Sequence, residues 1–176
     1  MKNDLHHLFI VELKDMYSSE NQILEALPKL IKSAAFPELK EALSHHLKET
    51  QNQVKRLETI FSLLGLEPEA EECPAMRGIL KEAQQLVRNK KASPILDAAI
   101  ICAAQKVEHY EISSYGTLRS FAKHLNLGHE IRHLLQQTFD EEAQADKKLS
   151  KLADGSLFSN GINAVAAEMV LEYAHK

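Results

Sequence analysis

Two glutamates stand three positions apart in a stretch that otherwise has the composition of a buried helix. They are Glu108 and Glu111, within the segment QKVEHYEISSYGTL at residues 105–118. Residues three apart lie on the same face of an α-helix, so the two carboxylates project in similar directions. Buried carboxylates repel one another unless they are protonated or neutralised by cations. This spacing therefore favours the binding of metal ions.

Acids also interrupt the apolar stripes of the other helical segments. When each segment is wound at about 100° per residue, Glu20 falls at the centre of the first stripe and Glu142 at the centre of the last. Asp146 lies one turn beyond Glu142. In the second segment His46 is central, and Glu49 lies toward the edge of the stripe. Every principal helix thus carries a candidate ligand.

These acids are predicted to lie at one level of an antiparallel bundle. Residues equidistant from the turn of a helical hairpin face each other. Positions 20 and 49 have their midpoint between residues 34 and 35, and positions 108 and 142 have theirs at residue 125. Both midpoints fall in predicted turns. A dinuclear metal site would neutralise the acids that converge there.

The predicted metal ligands are one histidine and six acids: Glu20, His46, Glu49, Glu108, Glu111, Glu142 and Asp146. Bundles of this kind hold two ions with single glutamates from two helices and a Glu-x-x-His pair from each of the others. Here the order on the second helix is reversed, and no histidine follows Glu142 at that spacing. Because six acids exceed the charge of two divalent ions, one or two are expected to carry protons or to support the ligands.

Other polar residues near these positions are given supporting or surface roles. Gln53, Thr50 and Tyr115 share the inner faces and are expected to support the ligands or pack beside them. His45 is expected to face solvent beside the inward His46. The histidines at 6, 7, 109, 124, 129, 133 and 175 share no inner face and are expected at the surface.

Apolar residues recur at three- and four-residue spacing through most of the chain, which predicts long amphipathic helices. The predicted helices cover residues 4–33, 37–65, 94–124 and 129–155, with a short helix inside a crossover at 65–93 and a last helix at 157–174. Pro28 is expected to kink the first helix near its end. Ser93 is a predicted N-cap and Gly65 a predicted terminator.

Two hairpins joined by one long connection predict an all-α fold, the ferritin-like four-helix bundle with a single crossover. A single domain is expected over residues 1–176, with the core bundle at 4–153 and a short fifth helix near the end.

Net charge, cysteine spacing and hydropathy exclude several classes of function. The net charge of −4 and the pI near 6.1 argue against nucleic-acid binding, which needs clustered basic residues. Cys73 and Cys102 lie too far apart to predict a zinc site or a disulfide framework, and buried or idle thiols are expected. No signal peptide or membrane-spanning run is recognisable, so a cytoplasmic protein without membrane contact is expected.

The glutamate-bearing segments resemble the YciE/YciF-like family of bacterial stress-associated ferritin-like proteins. The resemblance spans about residues 5–153 and is carried by FIVELKDMYSSENQILEALPKL, HLKETQNQVKRLETIF, CPAMRGILKEA and AAQKVEHYEISSYGTL. It implies a rubrerythrin-like bundle that is commonly dimeric and has a di-iron centre.

The leading hypothesis is a centre of two metal ions, iron or manganese, that reacts with dioxygen or peroxide and protects the cell during stress. Rubrerythrins, which the bundle resembles, pair such a centre with a rubredoxin-type module of four cysteines. This sequence has two cysteines. An electron donor would therefore be another protein or a small molecule.

Two alternatives remain open. The chain is a non-catalytic bundle whose metal is structural and which serves oligomerisation or partner binding, or it is a subunit of an iron-storage cage. Whether the protein is an enzyme stays open at this point.

Overall fold

The computed structural model describes residues 4–156 and 159–174, and it describes side chains up to residue 168 within those ranges. The helices are α1 (Leu5–Ser33), α2 (Pro37–Leu63), α3 (Pro74–Val87), α4 (Pro94–His124), α5 (His129–Asp154) and α6 (Ile162–Ala174). This confirms the all-α fold predicted from the sequence. No helix in the described ranges is long and apolar enough to cross a membrane.

Side chains and prolines define the starts of the helices. Asp4 accepts a hydrogen bond from the backbone N–H of His7 at 2.9 Å, and Ser93 accepts one from Leu96 at 3.2 Å. Both are N-cap interactions that satisfy amides left free in the first turn. Three helices begin with a proline, which has no N–H to leave unpaired: Pro37, Pro74 and Pro94.

The turn after α2 is closed by Gly65, whose φ of 69° lies in the left-handed region. The N–H of Gly65 donates to the carbonyl of Ser62, and that of Leu66 donates to Phe61. This pair of bonds is the Schellman motif that terminates helices at glycine. Asn126 closes α4 in the same way with a φ of 51°.

The helix directions require a long connection between α2 and α4. Asp97, in the first turn of α4, accepts hydrogen bonds from Ala35 and Phe36 just beyond α1. Further along α4, Tyr115 bonds to Glu20 in the middle of α1. Hence α4 is antiparallel to α1 and runs in the same direction as α2. The chain must return along the bundle between them, and it does so with α3 packed on α1 and α4.

Helix α1 runs unbroken through Pro28 to Ser33. Proline has no N–H, so the carbonyl of Leu24 loses its backbone partner. Leu27 and Leu30 are buried on either side of it and hold the last turn against the core. The irregularity predicted at Pro28 therefore does not end the helix.

The C-terminal helix begins at Ile162, later than the predicted residue 157. Before it, Gly155–Ser156 and Ser159–Asn160 form a short antiparallel pair, and α6 then packs on α4 and α5. A side chain at Gly161 would lie 2.2 Å from the carbonyl oxygen of Ala153, so this close return of the chain requires glycine. In the sequence Met169 and Tyr173 share one side of this helix, and their side chains lie outside the described residues.

Two apolar clusters fill the ends of the bundle. The near core lies beside the turn at 34–36 and includes Ile23, Leu43 and Ile100. The far core lies beside the turn at 125–128 and includes Phe9 and Leu118. Between them is a polar band of buried residues: Glu20, His46, Thr50, Gln53, Glu108, Glu111, Thr138 and Glu142. Five of the seven predicted ligands lie in this band: Glu20, His46, Glu108, Glu111 and Glu142.

Candidate metal centre

Four residues of the polar band form a compact set of possible metal ligands. His46 of α2, Glu108 and Glu111 of α4, and Glu142 of α5 each offer one atom, and these atoms lie within 4.8 Å of one another. All four side chains are buried. An imidazole nitrogen and carboxylate oxygens are ligands that iron and manganese accept. This His/Glu cluster could hold a metal ion.

Helix α1 contributes Glu20 beside this group. Its side chain is fully buried, and the hydroxyl of Tyr115 donates a hydrogen bond to Glu20 Oε1. Burial raises the pKa of Glu111, and the nearby charges of Glu142 and Glu20 raise it further. The charge of Glu20 therefore interacts with the acids of the compact set of four, although Glu20 is not one of the four.

Helix α2 orients Glu142 through an amide. The side-chain NH₂ of Gln53 donates to Glu142 Oε1 and, at 3.1 Å, to Glu141 Oε2. Arg56 forms a two-pronged ion pair with Glu141, with both nitrogen to oxygen distances at 2.6 Å. Two parallel charge-assisted bonds fix geometry better than one. These bonds connect α2 to α5 at Glu142 and at the residue next to it.

Burial makes the charged forms of these side chains unfavourable. It raises the pKa of Glu108 to about 8; the hydrogen-bonding interaction with Glu142 opposes this shift, and the charges of Asp146, Glu20 and Glu49 add to it. Burial first, and then the nearby carboxyls, raise the pKa values of Glu20, Glu111 and Glu142 well above their usual range. The pKa of His46 falls to about 4 because its buried ring is not easily protonated. A neutral imidazole is the form that binds metals.

Many polar atoms of the band have no hydrogen-bond partner among the described residues. They are Glu20 Oε2, His46 Nδ1 and Nε2, Gln53 Oε1, Glu108 Oε2, both oxygens of Glu111, and Glu142 Oε2. His46 Nε2 lies 3.5 Å from Glu108 Oε1, too far for a good hydrogen bond. Buried polar atoms are normally paired, and unpaired oxygens and nitrogens facing one site are what a cation would satisfy. The residues present therefore fit a metal centre.

The charge also fits two divalent ions. Four carboxylates of the band are buried, those of Glu20, Glu108, Glu111 and Glu142. Their combined charge when ionised equals and opposes that of two divalent cations. The sequence predicts six acidic ligands, two more than the charge of two divalent ions requires. The two extra acids lie at the edge of the polar band and not among its buried residues.

Those two acids are Glu49 and Asp146. The Glu49 side chain is 23% exposed, and its Oε2 lies 3.0 Å from Nδ1 of His45. Asp146 is 22% exposed and bonds at 3.2 Å to both Gln105 and His109. Neither belongs to the compact set of four, so their role as ligands stays a prediction.

The supporting and surface residues lie largely where the sequence places them. Thr50 is buried, and its hydroxyl donates to the backbone carbonyl of His46 at 2.9 Å. His45 is exposed. Of the histidines expected at the surface, His7 is half-buried, His175 lies outside the described residues, and the others are exposed: His6, His109, His124, His129 and His133.

Sequence reasoning missed two contacts near the site. The Arg56–Glu141 pair could have been suspected, because Arg56 follows Gln53 by one helical turn and Glu141 precedes Glu142. The second contact connects the N-cap of α3 with α4 and α1, and the local sequence gives no signal of it. Cys73 is buried, with its Sγ 3.1 Å from the hydroxyl of Tyr110, which donates to Asp15 at 2.6 Å.

The chain is similar to proteins of two bacteria. It is 39% identical over 150 residues to the protein YciF of Escherichia coli, which covers 85% of this chain and 90% of that protein. A crystal structure described as the E. coli stress protein YciF matches with a TM-score of 0.81 at 38% identity, covering 86% of this chain and 95% of that one.

The second bacterium is Rhodopseudomonas palustris. Its YcfI, described as a candidate structural protein, matches with a TM-score of 0.82 at 40% identity, and the match covers 87% of this chain and 99% of that one. A family model covers residues 4–165, nearly the whole bundle together with the start of α6. The chain therefore belongs to the family described as "Domain of unknown function (DUF892)".

Proposed function

We propose that this protein is a dinuclear metal protein, with iron or manganese, that reacts with dioxygen or peroxide. The observation that carries the proposal is the group of unpartnered nitrogen and oxygen atoms that His46, Glu108, Glu111 and Glu142 direct to one buried site. Keeping four acids there without cations requires that most of them be protonated. Two divalent ions would remove that requirement.

The residues that would hold the ions are Glu108, Glu111, Glu142, Glu20 and His46. Bound iron or manganese would supply a redox centre able to pass electrons to dioxygen or peroxide. Tyr115 and Gln53 hold the carboxyls of Glu20 and Glu142 in place by hydrogen bonds. The near and far cores keep bulk water from both ends of the site.

A role in stress protection is part of the proposal. It is supported by the similarity to the E. coli protein described as a stress protein. The donor of electrons would be a separate protein or small molecule, since the sequence has only two cysteines and one of them is buried. A catalytic cycle would therefore depend on what reduces the oxidised centre.

The first test is metal content. Protein purified without added metal, then reloaded anaerobically with Fe(II), is expected to bind about two ions per chain by elemental analysis. Glu111→Gln should bind fewer ions, because both oxygens of Glu111 face the site without another partner. The matched control is Glu130→Gln, which changes an exposed acid at the start of α5 and should bind as the parent does.

The second test is reactivity. The loaded protein is expected to oxidise Fe(II) when dioxygen or peroxide is added, followed by ultraviolet absorption and by consumption of the oxidant. A fully loaded protein that leaves both oxidants unconsumed would rule out the redox function. A parent protein that binds no metal under any loading condition would rule out the metal centre as well.

A second candidate function is a structural bundle in which metal only stabilises the fold. The similarity to the R. palustris protein described as a candidate structural protein supports it. In that case metal would raise the melting temperature of the parent protein, Glu111→Gln would abolish the rise, and no oxidant would be consumed. The same samples therefore separate the two functions.

A further inference from the structure

A cavity of about 250 Å³ lies between α2 and α5 and leads from the surface toward the polar band. Exposed residues of both helices, His45 and Lys148, stand on its outer wall. Glu108 of α4 and His46 stand on its inner wall and are buried. The cavity thus connects solvent with two members of the candidate metal centre.

The inner end of the cavity presents atoms that are ready to bind a ligand. Neither ring nitrogen of His46 has a hydrogen-bond partner among the described residues, and neither does Oε2 of Glu108. These side chains are 7% and 2% exposed. Buried polar atoms of this kind are rare in proteins unless something else binds them. An entering cation would meet both.

Two further side chains of types that can bind metal ions lie farther out along the same wall. Glu49 is 23% exposed and His45 is 62% exposed, and the distance from Glu49 Oε2 to His45 Nδ1 is 3.0 Å. They are four residues apart on α2 and so lie on one helix face. Imidazole and carboxylate groups therefore occur at increasing depth from the mouth of the cavity to its floor.

We propose that this cavity is the passage by which divalent cations reach the buried acids, and that His45 and Glu49 form a transient cation site within it. The inference rests on the proposed metal centre and adds the route of its loading. A hydrated ion must exchange its water ligands for protein ligands, and a half-exposed carboxylate allows this exchange to occur in steps. A negative charge in a cleft also raises the local concentration of cations.

Glu49 is suited to a transient role by its position. It stands outside the compact set of four, it remains partly hydrated, and it already has His45 as a partner. An ion held there gives up less water and gains fewer ligands than an ion at the buried acids. The ion would therefore move inward rather than stay.

The test measures loading rates with Co(II), whose absorption spectrum reports binding without any redox reaction. Metal-free Glu49→Gln is expected to bind Co(II) about fivefold more slowly than the parent in stopped-flow mixing at low salt, and to reach the same number of ions per chain. Lys148→Gln removes a positive charge from the wall and should load faster. Glu130→Gln, far from the cavity lining, should load at the parental rate.

A steric variant tests the route independently of charge. Ala145 is a half-buried residue of the cavity wall on α5, and Ala145→Phe would place a ring in the passage. It is expected to slow Co(II) loading by about tenfold or more at every salt concentration, since a blocked route is not relieved by screening. Circular dichroism of the metal-free variant checks that the bundle is intact.

Each alternative outcome has a distinct meaning. If Glu49→Gln binds fewer Co(II) ions per chain, Glu49 is a permanent ligand and the transient site is wrong. If Glu49→Gln, Lys148→Gln and Ala145→Phe all load at the parental rate, ions enter by another route and the proposed passage is contradicted. The proposed metal centre would be unaffected by that result. If the parent chain binds no Co(II), the passage fails together with the proposed function.

Discussion

At the scale of single residues, the buried acids depend on neutral neighbours for their orientation. Tyr115 is fully buried, and its hydroxyl donates to Glu20. Gln53 is also buried and donates to Glu142. Partners of this kind fix the direction of a ligand and raise its affinity for metal. The sequence assigns both residues a supporting role, and their hydrogen bonds are consistent with it.

Tyr115→Phe removes the hydrogen bond to Glu20 and keeps the ring. Metal affinity is expected to fall by about tenfold or more, because Glu20 is then free to adopt other rotamers. Competition with a chelator of known affinity measures this change. A useful control is Tyr17→Phe, since Tyr17 donates instead to Glu58. Equal affinities for the parent and Tyr115→Phe would show that Glu20 needs no support.

Helical periodicity identified the deeply buried acids and placed Glu49 toward the edge of its stripe, but it did not show that Asp146 also lies at the edge. Glu20 and Glu142 lie at the centres of their stripes, where any rotamer points inward. Asp146 is rotated by about 40° from Glu142 on the same helix. At that angle the Asp146 side chain can point either inward or toward the surface. Hydrogen bonds to Gln105 and His109 hold it near the surface. Those partners belong to another helix, so one helix's pattern cannot reveal them.

At the scale of the elements, Asp97 fixes the position of the α4–α5 hairpin relative to the α1–α2 hairpin along the bundle axis. Its buried carboxylate accepts the N–H groups of Ala35 at 2.7 Å and Phe36 at 2.6 Å. These amides belong to the turn between α1 and α2, whereas Asp97 belongs to α4. The level of Glu20 relative to Glu108 is thereby fixed at one end of the bundle.

Asp97→Asn replaces one of the two accepting oxygens with an NH₂ group. The free energy of unfolding is expected to fall by about 2 to 4 kcal/mol, because a partly buried backbone N–H loses its partner and faces another donor next to the buried side chain of residue 97. Urea denaturation measures the loss. Asp140→Asn, at an exposed position, should change stability little. A loss for Asp97→Asn no larger than that of this control would contradict the anchoring role.

The principal helices could be predicted closely because their boundaries carry local signals. Ser93 with Pro94 begins α4, and Gly65 closes the turn after α2, as the sequence predicts. The start of α6 could not be placed in this way. It follows a two-residue strand pair that has no periodicity, and its position depends on the close return of Gly161 to Ala153.

At the scale of the whole molecule, the buried acids make stability depend on pH. The folded pKa of Glu108, about 8, lies above the ordinary 4.5. The native state therefore holds protons that the unfolded chain has released, and metal-free stability falls as pH rises through this window. His46 acts in the opposite direction below 6.5, because its folded pKa is about 4.

As pH rises from 6.5 to 8, the opposing contribution of His46 fades and that of the acids dominates. Metal-free protein is expected to lose about 1.4 kcal/mol per pH unit for each extra proton that the native state holds. Urea midpoints in the presence of EDTA measure the slope, which should be smaller for Glu108→Gln. A metal-free midpoint that is constant or rises over this range would contradict the prediction. Metal affinity should increase with pH, since ions compete with protons for the same oxygens.

The polar band divides the interior into two apolar compartments, the near core and the far core. Several buried polar atoms of the layer between them have no hydrogen-bond partner among the described residues. We therefore expect one end of the metal-free bundle to open while the other remains folded. An ion coordinated by side chains of α1, α2, α4 and α5 would connect the two ends. Loading would then change a stepwise melting process into a single cooperative one, and slow amide exchange would spread from both ends across the middle.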